Sequence, residues 1–196
     1  MIGHGTGGWV AIRHALDNPQ SVGALILIGS SASAKDLLSA RKANLARLDK
    51  SQAALLQNGK RDDPAYAAAM AAYRREFVCR LAQQPAWLNS LMDDSAKSAA
   101  TRMTLGDDPF RFKGKWASFD MGRRLRSIAV PTLVICGQHD TPSASERLAK
   151  QIKGAQLKIL DGLSYHAALE DPARVNATIA AFLDGVDKAA IAGRAE

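Results

Sequence analysis

The chain has 196 residues, of which 47% are hydrophobic and 23% charged, which bounds it to one domain with room for a small insertion and for a sizeable core. The formal net charge of +7 does not point to nucleic acid. The basic residues are scattered over helical stretches, and the denser patch of Arg111, Lys113, Lys115, Arg123, Arg124 and Arg126 carries no aromatic-interleaved binding motif, so it reads as a solvated basic face. No apolar run reaches the roughly 18 residues that a membrane span needs, and the N-terminus lacks the regions of a signal peptide. Cys79 and Cys136 make neither a disulfide framework nor a metal site. Reduced thiols and a cytoplasmic location are expected, with no metal and no cofactor.

In chain order, glycines at 3, 5, 7 and 8 suit a sharp turn. A helix follows with Trp9, Ala11, Ile12, Ala15 and Leu16 inward, and it stops at Asp17-Asn18-Pro19. Val22 to Ile28 reads as a strand and Gly29-Ser30-Ser31 as its exit turn. Turn, helix and strand make the second half of a βαβ unit, whose first strand is missing or reduced to Met1-Ile2. From Lys35 to Met103 three or four helices are predicted, broken at Asn58-Gly59, Asp63-Pro64 and near Pro85. So long a block between two strands reads as a helical lid rather than an ordinary crossover. A turn-rich link, Leu105 to Gly114, leads through Trp116, Phe119 and Asp120 to a short helix.

The chain is organised around the next stretch. Pro131 opens a strand at the one position that tolerates it, and Thr132 to Cys136 is an apolar, β-branched run of the kind buried on both faces of a parallel sheet. Gly137 ends it, and Gln138-His139-Asp140 follow. Ser143-Ala-Ser-Glu146 has the form of a capping box before a helix with Leu148 and Ile152 on its apolar face. Gln156 to Leu160 is another strand. After the loop to His166, Asp171-Pro172 opens the final helix, with Val175, Ile179, Phe182 and Leu183 on one face and a tail frayed beyond Asp184. The resulting division is 1–34 for elbow, helix and strand, 35–120 for lid and return segment, and 121–196 for the remaining core.

Three loops then stand at the carboxyl ends of parallel strands, where open α/β sheets place their chemistry. Their order is elbow, acid, histidine, and in this the chain resembles the α/β-hydrolases. Gly3-His4-Gly5-Thr6-Gly7 stands where that family has its G-x-S-x-G nucleophile elbow. Gly137-Gln-His-Asp140 is similar to its acid loop, and Tyr165-His166-Ala-Ala-Leu-Glu-Asp-Pro172 to its histidine loop. Arg75-Glu-Phe-Val-Cys-Arg80, with the segments 112–120 and 124–131, resembles the lid and return of the proline iminopeptidase-like branch.

The resemblance implies the C-terminal half of an α/β-hydrolase fold, with about three to four parallel strands and an inserted helical lid. The family's earlier strands and its second oxyanion donor belong before Gly3. The sheet edge near Val22–Ile28 would then be open to self-association or a partner chain. It also implies His166 as general base, Asp140 as its orienting carboxylate, the Thr6 backbone N–H as oxyanion donor, and Phe110, Phe112 and Trp116 against a small-molecule, short-peptide or ester substrate. Gly5, at the nucleophile position, has no group to attack a carbonyl. The branch's amine-binding glutamates fall on Pro109 and Thr141, so aminopeptidase specificity is not expected. Two readings result: a hydrolase of amide or ester bonds with an Asp140–His166 dyad, or an inactive remnant that binds a ligand or a partner chain.

Overall fold

Short apolar runs pair in chain order into one parallel sheet, β1 (Ile2–His4), β2 (Leu25–Ile28), β3 (Thr132–Gly137) and β4 (Gln156–Leu160), in a computed structural model that describes residues 1–192. The register runs Leu27 beside Val134 and Val134 beside Leu157. Every residue of β2 and β3 is buried, because both faces of this parallel sheet are covered. On one face, Ile12 of α1 (Thr6–Asp17) packs with Leu27 and Val134. On the other, Ile26 and Ile135 meet Val175 and Phe182 of the last helix.

Between β2 and β3 run α2 (Ala34–Leu45), α3 (Lys50–Asn58), α4 (Pro64–Tyr73), a π-helical turn (Arg74–Val78), α5 (Ala86–Lys97) and α6 (Ala99–Thr104). Side chains of Ser33, Asp49, Asp63 and Ser98 cap α2, α3, α4 and α6 by accepting from backbone N–H groups in the first turn. The expected breaks at Asn58, Pro64 and Pro85 are there. Two more, at Asp49 and Ser98, are marked in the sequence by those same capping residues. This helical block has its own small core of Leu45, Leu56, Tyr66, Tyr73, Phe77 and Phe110. Trp9, Leu37 and Phe112 join it to α1.

After β3 come α7 (Pro142–Gln151), α8 (Ala167–Glu170) and α9 (Pro172–Ala192). Several expectations need correction. Residues 2–4 form a true strand, which takes the sheet edge outside β2. The strand expected from Val22 starts at Leu25, after a 3₁₀ turn at Pro19–Ser21. No capping box forms at Ser143. Pro142 opens α7 behind Thr141, whose side chain makes no cap, since proline's fixed φ suits the first helical position. Leu183 is exposed; the inward row of α9 is Val175, Ile179, Phe182 and Val186, which keeps the 3.6-residue period. That helix continues past Asp184 to Ala192.

Candidate functional site

The elbow between β1 and α1 is built by glycine. Gly5 has φ +55° and ψ −123°, a left-handed backbone that L side chains rarely adopt. Its N–H donates to the Ile28 carbonyl at 2.9 Å and its own carbonyl accepts from Gly8 N and Ser30 Oγ, each at 3.0 Å. Ser30 therefore braces the turn, while Ser31 accepts from Trp9 Nε1 at 3.2 Å. A Cβ placed on Gly5 would land on the hydroxyl oxygen of Tyr165, 3.0 Å from its Cζ. At Gly29 (φ +53°), which ends β2, a Cβ would lie 2.9 Å from Asp140 Oδ2 and 3.1 Å from the Tyr165 ring. The tyrosine thus reaches across two glycines to the place where an elbow side chain would project.

The acid loop leaves β3 as part of the core. Asp140 is 4% exposed. Its N–H donates to the Gly137 carbonyl at 3.1 Å, and its carbonyl accepts from Asn44 Nδ2 at 2.6 Å. Its Oδ2 accepts from the Cys136 thiol at 3.5 Å, and Thr141 Oγ1 lies beside the carboxylate without reaching hydrogen-bond geometry. Burial pushes the Asp140 carboxyl up to about 6 and the Cys136 thiol further above its ordinary range.

The histidine loop leaves β4 and is tied both to the acid loop, through His139 N–H to the Leu163 carbonyl at 2.9 Å, and to the helical block. The N–H groups of Tyr165 and His166 donate to the carbonyls of Phe77 and Val78, at 3.2 and 2.9 Å. Glu170 accepts from the backbone N–H groups of Arg80 and Ser164, each at 2.7 Å. His4 Nε2 bonds the Tyr165 carbonyl at 3.0 Å, and its ring lies 4.2 Å from the Tyr165 ring. His166 has its ring 4.9 Å from Tyr165 and 5.4 Å from His4. Burial, then the neighbouring His4, lowers the His166 imidazole to about 4, against the pull of Glu170. Burial lowers His4 as well.

Elbow, acid loop and histidine loop open on one cavity of about 490 Å³ beneath the helical block. Gly5, Thr6, Asp140, His166, Phe110 and Phe112 all line it. Trp116 does not; it is partly buried with its ring 6.0 Å from that of Trp9. Asp140 and His166 reach the same space, but among the described residues no hydrogen bond joins them. Arg41 also lines the cavity; its Nη1 donates to the Pro109 carbonyl at 2.9 Å and its guanidinium stands 5.4 Å from the Phe112 ring centre. Arg61 binds Asp107 and Asp108 at the cavity's far side.

The pattern of the alpha/beta hydrolase family matches residues 1–178. The chain belongs to that family. It is 26% identical over 192 residues to the proline iminopeptidase of Heyndrickxia coagulans, covering 95% of this chain and 67% of that protein. With the proline iminopeptidase of Saccharolobus solfataricus the identity is 24%, over 95% of this chain and 62% of the relative. The crystal structure of proline iminopeptidase from Mycobacterium smegmatis superposes with a TM-score of 0.88 at 27% identity, covering 96% of this chain and 66% of that one. VinJ superposes at 0.85 with 23% identity, a likeness of fold. The chain thus spans about two thirds of the length of the relatives it matches, and its sheet and helical block correspond to the C-terminal part of an α/β-hydrolase.

Within this α/β-hydrolase framework, the three loops stand in the family's chain order at the carboxyl ends of β1, β3 and β4. Sequence reasoning missed Tyr165, which as the residue before a candidate histidine carried no signal of its own. It also missed Glu170 as the tie between the histidine loop and Arg80, although its acidic character next to Asp171-Pro172 was visible.

Proposed function

We propose that this α/β-hydrolase-family chain binds a small, largely apolar molecule in the cavity over Gly5 and does not process it through an acyl-enzyme. One observation carries this reading: the elbow position that would hold a nucleophile is a glycine whose side-chain space is taken by Tyr165. The cavity walls supply aromatic surface from Phe77, Phe110 and Phe112 and aliphatic surface from Leu37, Met70 and Leu105, with polar groups among them, the usual make-up of a small-molecule site.

A second reading, hydrolysis of amide or ester bonds with His166 as general base on a bound water, is favoured by that residue's place on the cavity wall and by the activity named for the relatives. Its lowered imidazole counts against it, because a base works best when its pKa lies near the working pH.

Incubation with short acyl amides, prolyl anilides and small esters tests both readings. Binding without turnover predicts saturable amide chemical-shift changes at Gly5, Thr6 and Asp140 and no product. Product formed by the unmodified chain and lost in His166→Ala would replace the first reading with the second.

A further inference from the structure

We infer that Tyr165 is the residue that closes the elbow: its phenol occupies the volume of a position-5 side chain, so positions 5 and 165 act as one coupled pair and the elbow opens only when the tyrosine is removed. The inference rests on the reading of Gly5 as the nucleophile position, while the contact it invokes is independent of what the cavity binds.

The placement of Tyr165 is over-determined. Its backbone is held at both ends, by the Phe77 carbonyl at 3.2 Å and by His4 Nε2 at 3.0 Å. Its ring is enclosed by His4 at 4.2 Å and His166 at 4.9 Å between centroids. Below it lie Gly29 and Gly5, where added Cβ atoms would sit 3.1 Å from ring carbon Cδ2 and 3.0 Å from Cζ. The Gly29 contact is tighter than nearly all that real Cβ atoms make, and the Gly5 Cβ falls on the hydroxyl itself, so one partner must move. A rigid ring clamped on two sides cannot yield as a flexible chain end can. Among the described residues the hydroxyl has no hydrogen-bond partner, and the residue lines the cavity, so the polar group nearest the place of a Gly5 side chain is this phenol. Burial, then the Asp140 charge, raises it to about 12, which keeps it protonated and a donor at neutral pH. A serine placed at position 5 alone would therefore meet the phenol instead of a substrate carbonyl.

The test uses chemistry that needs no catalytic machinery. Cys79 and Cys136 are buried, so a thiol introduced as Gly5→Cys is read against a quiet background by iodoacetamide alkylation and peptide mass analysis. The peptide carrying the introduced thiol is expected to be alkylated at least tenfold faster in Gly5→Cys/Tyr165→Gly than in Gly5→Cys. Equal rates in two folded proteins would overturn the inference. If Gly5→Cys does not fold, rescue of folding by Tyr165→Gly supports it. Failure of that rescue hands the decision to the unmodified chain, where a nuclear Overhauser contact between the Tyr165 ring protons and the Gly5 α-protons must be present and its absence overturns the inference. Turnover assays bear only on the proposed function, so failure of that reading would leave these outcomes distinct.

Discussion

The acid loop and the histidine loop face the same cavity and are bonded to each other, His139 N–H donating to the Leu163 carbonyl at 2.9 Å, yet Asp140 and His166 themselves are anchored differently. Asp140 is anchored mainly on the sheet: it follows a fully buried strand and bonds to Gly137 and Cys136, with one tie to the helical block through Asn44 of α2. His166 belongs to the helical block, stapled to it by the Phe77 and Val78 carbonyls and by Glu170. In a bonded acid–histidine pair each charge favours the other, so the carboxyl is pulled down and the imidazole up. Here the carboxyl is raised to about 6 and the imidazole lowered to about 4. Both shifts have burial as their first cause. The two groups share one cavity with no hydrogen bond between them among the described residues, and the ring of Tyr165 lies against both Asp140's neighbour Gly29 and His166 itself.

The largest way to break this contrast is Phe77→Ala. Deleting a fully buried aromatic should cost about 3–5 kcal/mol in urea unfolding. It should speed hydrogen exchange at the Tyr165 and His166 amides while those of Gln138 and Asp140 stay protected. Equal loosening of both loops would show that they form one unit.

Next is pH. From the ordinary 3.8 to about 6, the folded chain holds a proton on Asp140 that the unfolded chain has lost, so this group makes stability fall as pH rises. From about 4 to the ordinary 6.5, the unfolded chain holds a proton on His166 that the folded chain lacks, so this group makes stability rise. The two slopes oppose one another between pH 4 and 6. Asp140→Asn should remove the first, leaving stability that rises across the window and exceeds the parent by about 3 kcal/mol at pH 7. A loss of stability there would mean that the carboxylate is paired after all.

Glu170→Gln removes the charge from both acceptors and leaves one of the backbone donors of Arg80 and Ser164 facing an NH2 group instead of an oxygen. It should cost about 1–2 kcal/mol, with faster exchange confined to those amides. Smallest is Cys136→Ser. A hydroxyl donates more strongly than a thiol, so the Asp140 carboxyl should titrate below about 6, while stability changes by less than about 1 kcal/mol. A titration followed at the carboxylate carbon reads this directly.

Much of the frame was legible in the residues. Pro131 and the β-branched run after it placed β3, and Gln156–Leu160 was readable to the residue. Helix ends followed Asn58-Gly59, Asp63-Pro64 and Asp171-Pro172, because proline geometry and capping are decided within a turn of chain. The capping box at Ser143 failed for the same local reason, overridden by a proline one residue earlier. Leu183 was misplaced because both 182 and 183 are apolar, and only packing chooses between neighbouring helical positions.

By itself the sequence determined the alternation of strands and helices, the order of the three loops and the absence of a nucleophilic side chain at Gly5. All of these are properties of neighbours along the chain. Only the tertiary structure decided that Tyr165 fills the elbow, that Trp116 turns away to Trp9, and that Asp140 bonds to Cys136 rather than to His166. Those outcomes depend on how a sheet and a separate helical core are docked, and segments as distant as the His4–Tyr165 contact, 161 residues apart, are brought together by packing that no local pattern encodes.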